Sequence, residues 1–398
     1  MTKGIKDEPY TNESKQADLE EFKTRLGHII QPLEDPRSED NQKYSLFTLL
    51  AIIFCAIVCG ANSINAIHRY AIAKQKWLKS WLSLENDLPS YDTFWWLLVR
   101  LDPHQVEALF RCWVATLSNL GLEDEIAIDG KRSKGSSNKG HPQALLHMVS
   151  AWSSTRGIIL GQIKTEEKSN EITAIPELLK TLEVTGATIS IDAMGCQKEI
   201  AKTIVGKGAN YVLMVKENQP TLHAEIENYF KQAECIGFEG VVHDVFVTEE
   251  KGHGRQERRE MYVTNDIEWL PMRQEWEGLK SIAMVRSHRT LNGKTSQEVR
   301  YYITSLEPIA KRVASVVRNH WGIENKVHWV LDVGFLEDLS QISTGHAAEN
   351  FAILRRLTLN VIRLDPDKKK SLKGRREIAG WDDDYMMYLL KLAGVKKF

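Results

Sequence analysis

The 398-residue chain has no apolar run long enough to span a bilayer, no paired cysteine motif and no surplus of charge of either sign. Its longest apolar stretch, LFTLLAIIFCAIVCG at residues 46–60, is shorter than the roughly 20 residues a spanning helix needs, so it reads as a core helix. The opening MTKGIKDEPYTNESK has no apolar signal-peptide segment, and a cytoplasmic protein without membrane association is expected. Five cysteines, Cys55, Cys59, Cys112, Cys196 and Cys235, form no C-x-x-C pair, which argues for reduced, mostly buried thiols and against a zinc ribbon or a disulfide framework. A net charge of −1 gives no general attraction to polyanions, so any nucleic-acid contact must rely on local basic patches. G-x-S-x-G, H-E-x-x-H and P-loop motifs are all missing, which removes the common serine, zinc and nucleotide chemistries.

What is present is ordinary globular material, 42% apolar and 26% charged, long enough for two or three domains. Residues 1–20 read as a flexible tail. Helical periodicity over 44–59, 62–83 and 91–118, with Ser90 or Asp92 as an N-cap, makes residues 21–118 an all-helical domain. Its Arg69, Lys74, Lys76 and Lys79 suit either DNA phosphates or a solvated face.

From residue 119 onward the texture is βββαβαβ, with strands LEDEIAIDGKR, LLHMVSAWSS, GIILGQIKTE, GATISIDAM and ANYVLMVKE and two helices between them, the first capped by Ser169 or Asn170. This predicts an α/β (α+β) mixed sheet with helices on its faces. A β-rich insertion with a hairpin at Asn292-Gly293 is expected over about 217–305, then a continuous helix over 309–331, a further helix AAENFAILRRLTLNVIRL, and a short basic linker, KKK and KGRR, before a terminal helix.

Three acidic residues stand out. Asp129 and Asp192 each end an apolar strand run, where Asp serves as a turn residue or as a site residue. Glu324 lies between His320 and His328 at i, i+4 and i+8, a polar row that either faces solvent or marks a site. Strand, strand and helix can bring the three together, and three converging carboxylates are best neutralised by a hard divalent cation such as Mg²⁺, with Mn²⁺ able to substitute. Such a site activates water or a 3′-hydroxyl on a phosphodiester without a separate protein nucleophile. A zinc site built on His320, Glu324 and His328 is disfavoured, because ends of an i, i+8 row lie about 12 Å apart along a helix.

Beyond these residues, LEDPR, PSYDTF, IDGK at 128–131, EKSNEITAIPELL, IDAMGCQKEIA, YVLMVKENQPTL, KGHGRQERR, HWGIENKVHWVLDVGFLED and AAENFAILRR occur in an order that resembles the ISAs-type, H-repeat-associated transposases of bacterial insertion sequences, a branch of the DDE superfamily. The resemblance covers nearly the whole chain. It implies a ribonuclease-H-like core, Asp129, Asp192 and Glu324 as catalytic and metal-binding residues, double-stranded DNA as partner, and a homodimer when two element ends are synapsed. The helical N-terminal domain is then a DNA-end-binding or dimerisation domain.

Candidate DNA contacts are Lys131, Lys134, Lys216, Asn218, Gln219, Arg255, Arg259, His320 and His328. Plainer readings stand beside several of them: a turn built by Asn218 and Pro220, exposed hairpin charges at Arg255, Arg258 and Arg259, and structural hydrogen bonds at the two histidines. The family usually carries arginine where this chain has Trp95, Lys134, Leu336 and Gln341, which implies fewer phosphate contacts. A transposase-derived protein that binds DNA without cutting it is the rival reading.

Overall fold

The structure is a computed structural model that describes residues 12–84, 87–117, 124–136, 145–165, 171–252, 254–367 and 369–394. Helix α1 spans Asn12–Ile30 and so occupies part of the expected tail; residues 1–11 and the expected caps Ser169 and Asn170 lie outside the described residues. Helices α2 (Leu46–Val58), α3 (Ile64–Ala73), α4 (Gln75–Lys79), α5 (Tyr91–Arg100) and α6 (Pro103–Leu117) follow. Ser45, Ser63 and Ser90 cap α2, α3 and α5, each hydroxyl accepting a first-turn N–H. The single helix expected over 91–118 is broken before Pro103, since a residue preceding proline avoids helical backbone, and Asp102 accepts the N–H of His104 instead.

The next segment contains β1 (Glu125–Arg132), β2 (His147–Ser153), β3 (Ile158–Lys164), α7 (Glu171–Lys180), β4 (Thr188–Ile191), α8 (Lys198–Gly206), β5 (Asn210–Val215) and α9 (Pro220–Cys235). Strands β6 (Asp244–Gly252), β7 (Arg255–Thr264), β8 (Ser281–Leu291) and β9 (Lys294–Thr304) complete one nine-stranded mixed sheet of order β3-β2-β1-β4-β5-β9-β8-β7-β6. Strand pairs β1/β4 and β4/β5 are parallel, whereas β5/β9 and the strands beyond are antiparallel. The β3-β2-β1-β4-β5 half is the ribonuclease-H-like arrangement expected.

The β-rich insertion is corrected in two respects. It opens with helix α9, whose buried Leu222, Ile226 and Phe230 recur every four residues. Its strands are no separate subdomain, because β9 pairs with β5 from Val212↔Thr304 to Val215↔Tyr301. The expected hairpin turn is present, with Asn292 at φ 49° and Gly293 at φ 75°, the left-handed pair a two-residue hairpin requires.

The expected continuous helix over 309–331 is also corrected. Helix α10 (Ala310–Ile323) passes into a π turn over Glu324–His328, and α11 (Trp329–Phe335) follows. Val313 and Val316 of α10 pack with Met214 of β5, Val263 of β7 and Ala283 of β8 in one apolar cluster, which seats the helix on the sheet.

Helices α12 (Ala347–Leu364), α13 (Leu372–Trp381) and α14 (Asp383–Gly394) end the described chain. The KGRR stretch is not a linker: Arg375 and Arg376 lie in α13 and are buried. Arg376 donates to the carbonyls of Ile57 and Val58 at the end of α2 and to that of Gly334, satisfying acceptors that a helix terminus leaves open.

The chain divides into two compact units, residues 120–131 with 147–328, and residues 1–119, 132–146 and 329–398. The C-terminal helices thus group with the N-terminal ones, where a single boundary near residue 118 was expected. Among the described residues, no helix is long and apolar enough to cross a membrane.

Candidate metal centre

The centre lies in the unit that holds the sheet. Strand β1 buries Ile126, Ala127 and Ile128 and then presents Asp129. In the parallel pair of β1 with β4, Ile128 stands opposite Ile191, so Asp129 and Asp192 occupy the next position on neighbouring strands. Asp192 accepts the backbone N–H groups of Met194 (3.1 Å) and Gly195 (3.4 Å), which orients its carboxylate at the strand end.

The third acid arrives from α10. Glu324 opens the π turn, and Nδ1 of His328 sits 3.2 Å from Glu324 Oε2 and 3.7 Å from Asp129 Oδ2. Potential ligand atoms of Asp129, Glu324 and His328 all lie within 4.8 Å of one another. Asp192 is outside that group of three. Widened π turns recur at functional sites, and this one brings a half-exposed carboxylate and a buried imidazole to the same strand.

The electrostatics are those of crowded acids. Burial drives the Asp129 carboxyl well above its usual range, and the charge of Glu324, a hydrogen bond to it, and the charges of Asp192 and Glu171 push the same way. Glu324 moves down, chiefly because it bonds His328. The two shifts run in opposite directions, so the pair holds a proton more tightly than two isolated carboxylates would. Asp192 is also raised, by burial and by Glu171, and is drawn back by the two N–H groups and by Lys216.

Glu171 is the acid that the sequence reading missed. Its Oε1 lies 2.9 Å from His147 Nε2, both side chains being nearly buried. A Cβ at position 130 would overlap the Glu171 carboxylate and come within 2.5 Å of His147 Nε2, so glycine at that position is what lets this pair pack beside β1. The only sequence signal was its place in EKSNE, just ahead of an apolar helix.

The expected DNA contacts scatter. Lys216 is exposed beside Asp192, while Asn218 and Gln219 hold the turn after Asp192 through the carbonyls of Ala193 (2.5 Å) and Cys196 (2.9 Å). Lys131 is 7% exposed. Lys134 pairs with Asp338 at 3.6 Å. On β7, Arg258 bonds Glu249 and Glu260, Arg259 bonds Glu250 and Glu257, and Arg255 stands 3.8 Å from Glu257, so the hairpin's cations already meet carboxylates. His320 does not join the carboxylates: its Nδ1 lies 3.1 Å from Ser190 Oγ, and burial lowers it to about 4, leaving it neutral. His328 is brought into the centre. Trp95, Leu336 and Gln341 line one cavity of about 330 Å³ in the other unit.

A family model described as "Transposase DDE domain" matches residues 120–361, and one described as "DDE_Tnp_1-associated" matches residues 28–114. The chain belongs to the DDE transposase family. Among DDE relatives, the transposase-family protein YncI of Escherichia coli O157:H7 is 38% identical over 365 residues, 91% of this chain and 93% of that protein. The H repeat-associated transposase-family protein YhhI of Escherichia coli (strain K12) is 35% identical over 381 residues, 94% of this chain and all of that protein. Among solved structures, a piggyBac transposase synaptic complex with hairpin DNA overlays with a TM-score of 0.44 and 10% identity, over 94% of this chain and 77% of the other.

Proposed function

We propose that this transposase binds the ends of its own insertion sequence and cuts and joins DNA strands with Mg²⁺, or Mn²⁺ in its place, using Asp129, Asp192 and Glu324. The observation that carries the reading is the placement of two strand carboxylates in adjacent register with a helical Glu brought to Asp129 by a π turn. The donor set fits a hard divalent ion. It offers carboxylate oxygens with one imidazole at the margin, and the excess negative charge at present retains a proton that a cation would displace.

When bound, the metal supplies charge neutralisation at the phosphodiester and a lowered pKa for the attacking water or 3′-hydroxyl. The chain's own residues do the rest. Asp129 and Asp192 are fixed on the sheet, Glu324 is held by His328, and Lys216 offers a cation beside Asp192 for a nearby phosphate. His328 has a second role available, since its buried Nε2 has no partner among the described residues. A homodimer that pairs two ends, acting in the cytoplasm where the DNA lies, completes the proposal.

The test is incubation of the purified protein with DNA carrying the element's ends, with Mg²⁺ or Mn²⁺ and with EDTA. Metal-dependent nicked and joined products are expected. End-specific binding with no products under any metal would replace the reading with that of a DNA-binding derivative.

A further inference from the structure

Helix α10 meets the sheet through a polar stripe as well as an apolar one. Glu125, the first residue of β1, is 6% exposed, yet it receives Arg312 Nη1 at 2.5 Å, Ser315 Oγ at 3.1 Å and Asn319 Nδ2 at 2.6 Å. Arg312 also reaches Thr188 Oγ1 of β4 at 3.4 Å, and the ring of His320, the residue after Asn319, meets Ser190 of the same strand. Alternation along a strand places Glu125 on the face of β1 that carries Asp129, and Ser190 on the face of β4 that carries Asp192. The stripe on α10 therefore runs along the row of side chains that ends at the carboxylates.

The spacings match. From Glu125 to Asp129 is four strand residues, about 13 Å. From Ser315 to Glu324 is nine helical residues, again about 13 Å. A buried ion pair is a poor source of stability compared with apolar packing, and its best-attested use is to fix register. Valines alone would let α10 slide, whereas a slip of one residue displaces Glu324 by about 1.5 Å and strips Glu125 of its donors.

We propose that Glu125, with Arg312, Ser315 and Asn319, is a positioning cluster that sets the axial register of α10 on β1 and thereby delivers Glu324 to Asp129. The inference rests on the reading of those carboxylates as a metal site. It assigns to Glu125 no contact with DNA or metal. Its effect passes through Glu324.

The experiment uses the full chain and Mn²⁺ as probe. Binding is followed by electron paramagnetic resonance without DNA, alongside thermal melting and steady-state cleavage, for wild type, Glu125→Gln, Asn319→Ala and Arg312→Lys. Glu125→Gln and Asn319→Ala should still melt cooperatively but lose about 10- to 100-fold in Mn²⁺ affinity and in kcat, with KM for end DNA unchanged. Arg312→Lys, which keeps the charge, should recover most of both. Folded Glu125→Gln and Asn319→Ala proteins whose Mn²⁺ affinity and kcat stay within about twofold of wild type would overturn the positioning role, and if Glu125→Gln does not fold, Asn319→Ala decides alone. Wild type that binds no Mn²⁺, or binds it equally well as Asp129→Asn, would sink the metal-site reading itself and the positioning role with it.

Discussion

Replacing Gly322 by alanine sets two effects of opposite sign against each other. Gly322 lies in α10 two residues before Glu324. In an exposed helix the change is favourable by about 1 kcal/mol, since glycine is the poorer helix former. Here the new Cβ would stand 2.6 Å and 2.7 Å from two carbons of the Trp152 ring, which is fully buried on β2. Carbon atoms sit comfortably at about 3.5–4.0 Å, so the helix or the ring must move by about 1 Å. The ring is enclosed, and overpacking of this kind costs about 1–3 kcal/mol. The sum is a net loss of about 1 kcal/mol, with the displacement taken up at the end of α10 that carries Glu324. A misplacement of about 1 Å at a reacting centre can cost about 100-fold in rate. Thermal unfolding combined with cleavage of end DNA measures both quantities. The expected result is a small fall in melting temperature with a large fall in kcat, and partial recovery when Trp152→Phe removes the overlapping carbons. A Gly322→Ala protein that is more stable than wild type and cleaves normally would refute the reasoning, because propensity would then have won over the ring contact.

Metal affinity should depend on pH through Asp129. Its carboxyl is raised to about 8, so below that pH a cation must displace a proton; affinity should rise close to tenfold per unit from pH 6 towards 8 and then flatten, with calorimetry in buffers of different ionisation enthalpy recording nearly one proton released at pH 7. The same shift has a sign for stability. An acid with a raised folded-state value contributes stability that is present below its unfolded value and lost as pH rises through about 8, so metal-free Asp129→Asn should melt above wild type at pH 8.5. In the helical unit, Arg356 and Glu337 form a 2.8 Å pair with side chains 0% and 1% exposed. Glu337→Gln leaves a buried guanidinium short of its counter-charge and should cost about 3–5 kcal/mol in denaturant unfolding, whereas a loss below about 1 kcal/mol would mean that other partners carry it.

The elements of the site were legible where local pattern and site coincide. Asp129 and Asp192 stand out because apolar strand runs end in an acid, and Glu324 because a carboxylate interrupts an apolar helix. The π turn was not legible, since spacing of three and four residues reads the same until the extra residue per turn is seen in the backbone. Helix α9 was lost in a β-rich texture although Leu222, Ile226 and Phe230 keep helical spacing. KGRR read as part of a basic linker because charge alone does not reveal carbonyl partners such as Ile57 and Val58, far away in the chain. Glu171 was hidden for a related reason: its importance depends on the missing side chain of Gly130, which matters only once β1 and α7 are packed.

Cutting is proposed to need Asp129, Asp192 and Glu324 together. The direct measurement is cleavage of end-bearing DNA by Asp129→Asn, Asp192→Asn and Glu324→Gln in Mg²⁺ and in Mn²⁺, with end binding measured on the same preparations. All three are expected to fold and bind DNA, and none to yield products above about one part in 1,000 of wild type, a loss of about 4 kcal/mol in transition-state stabilisation. Wild-type cleavage by any one of them would remove that residue from the site.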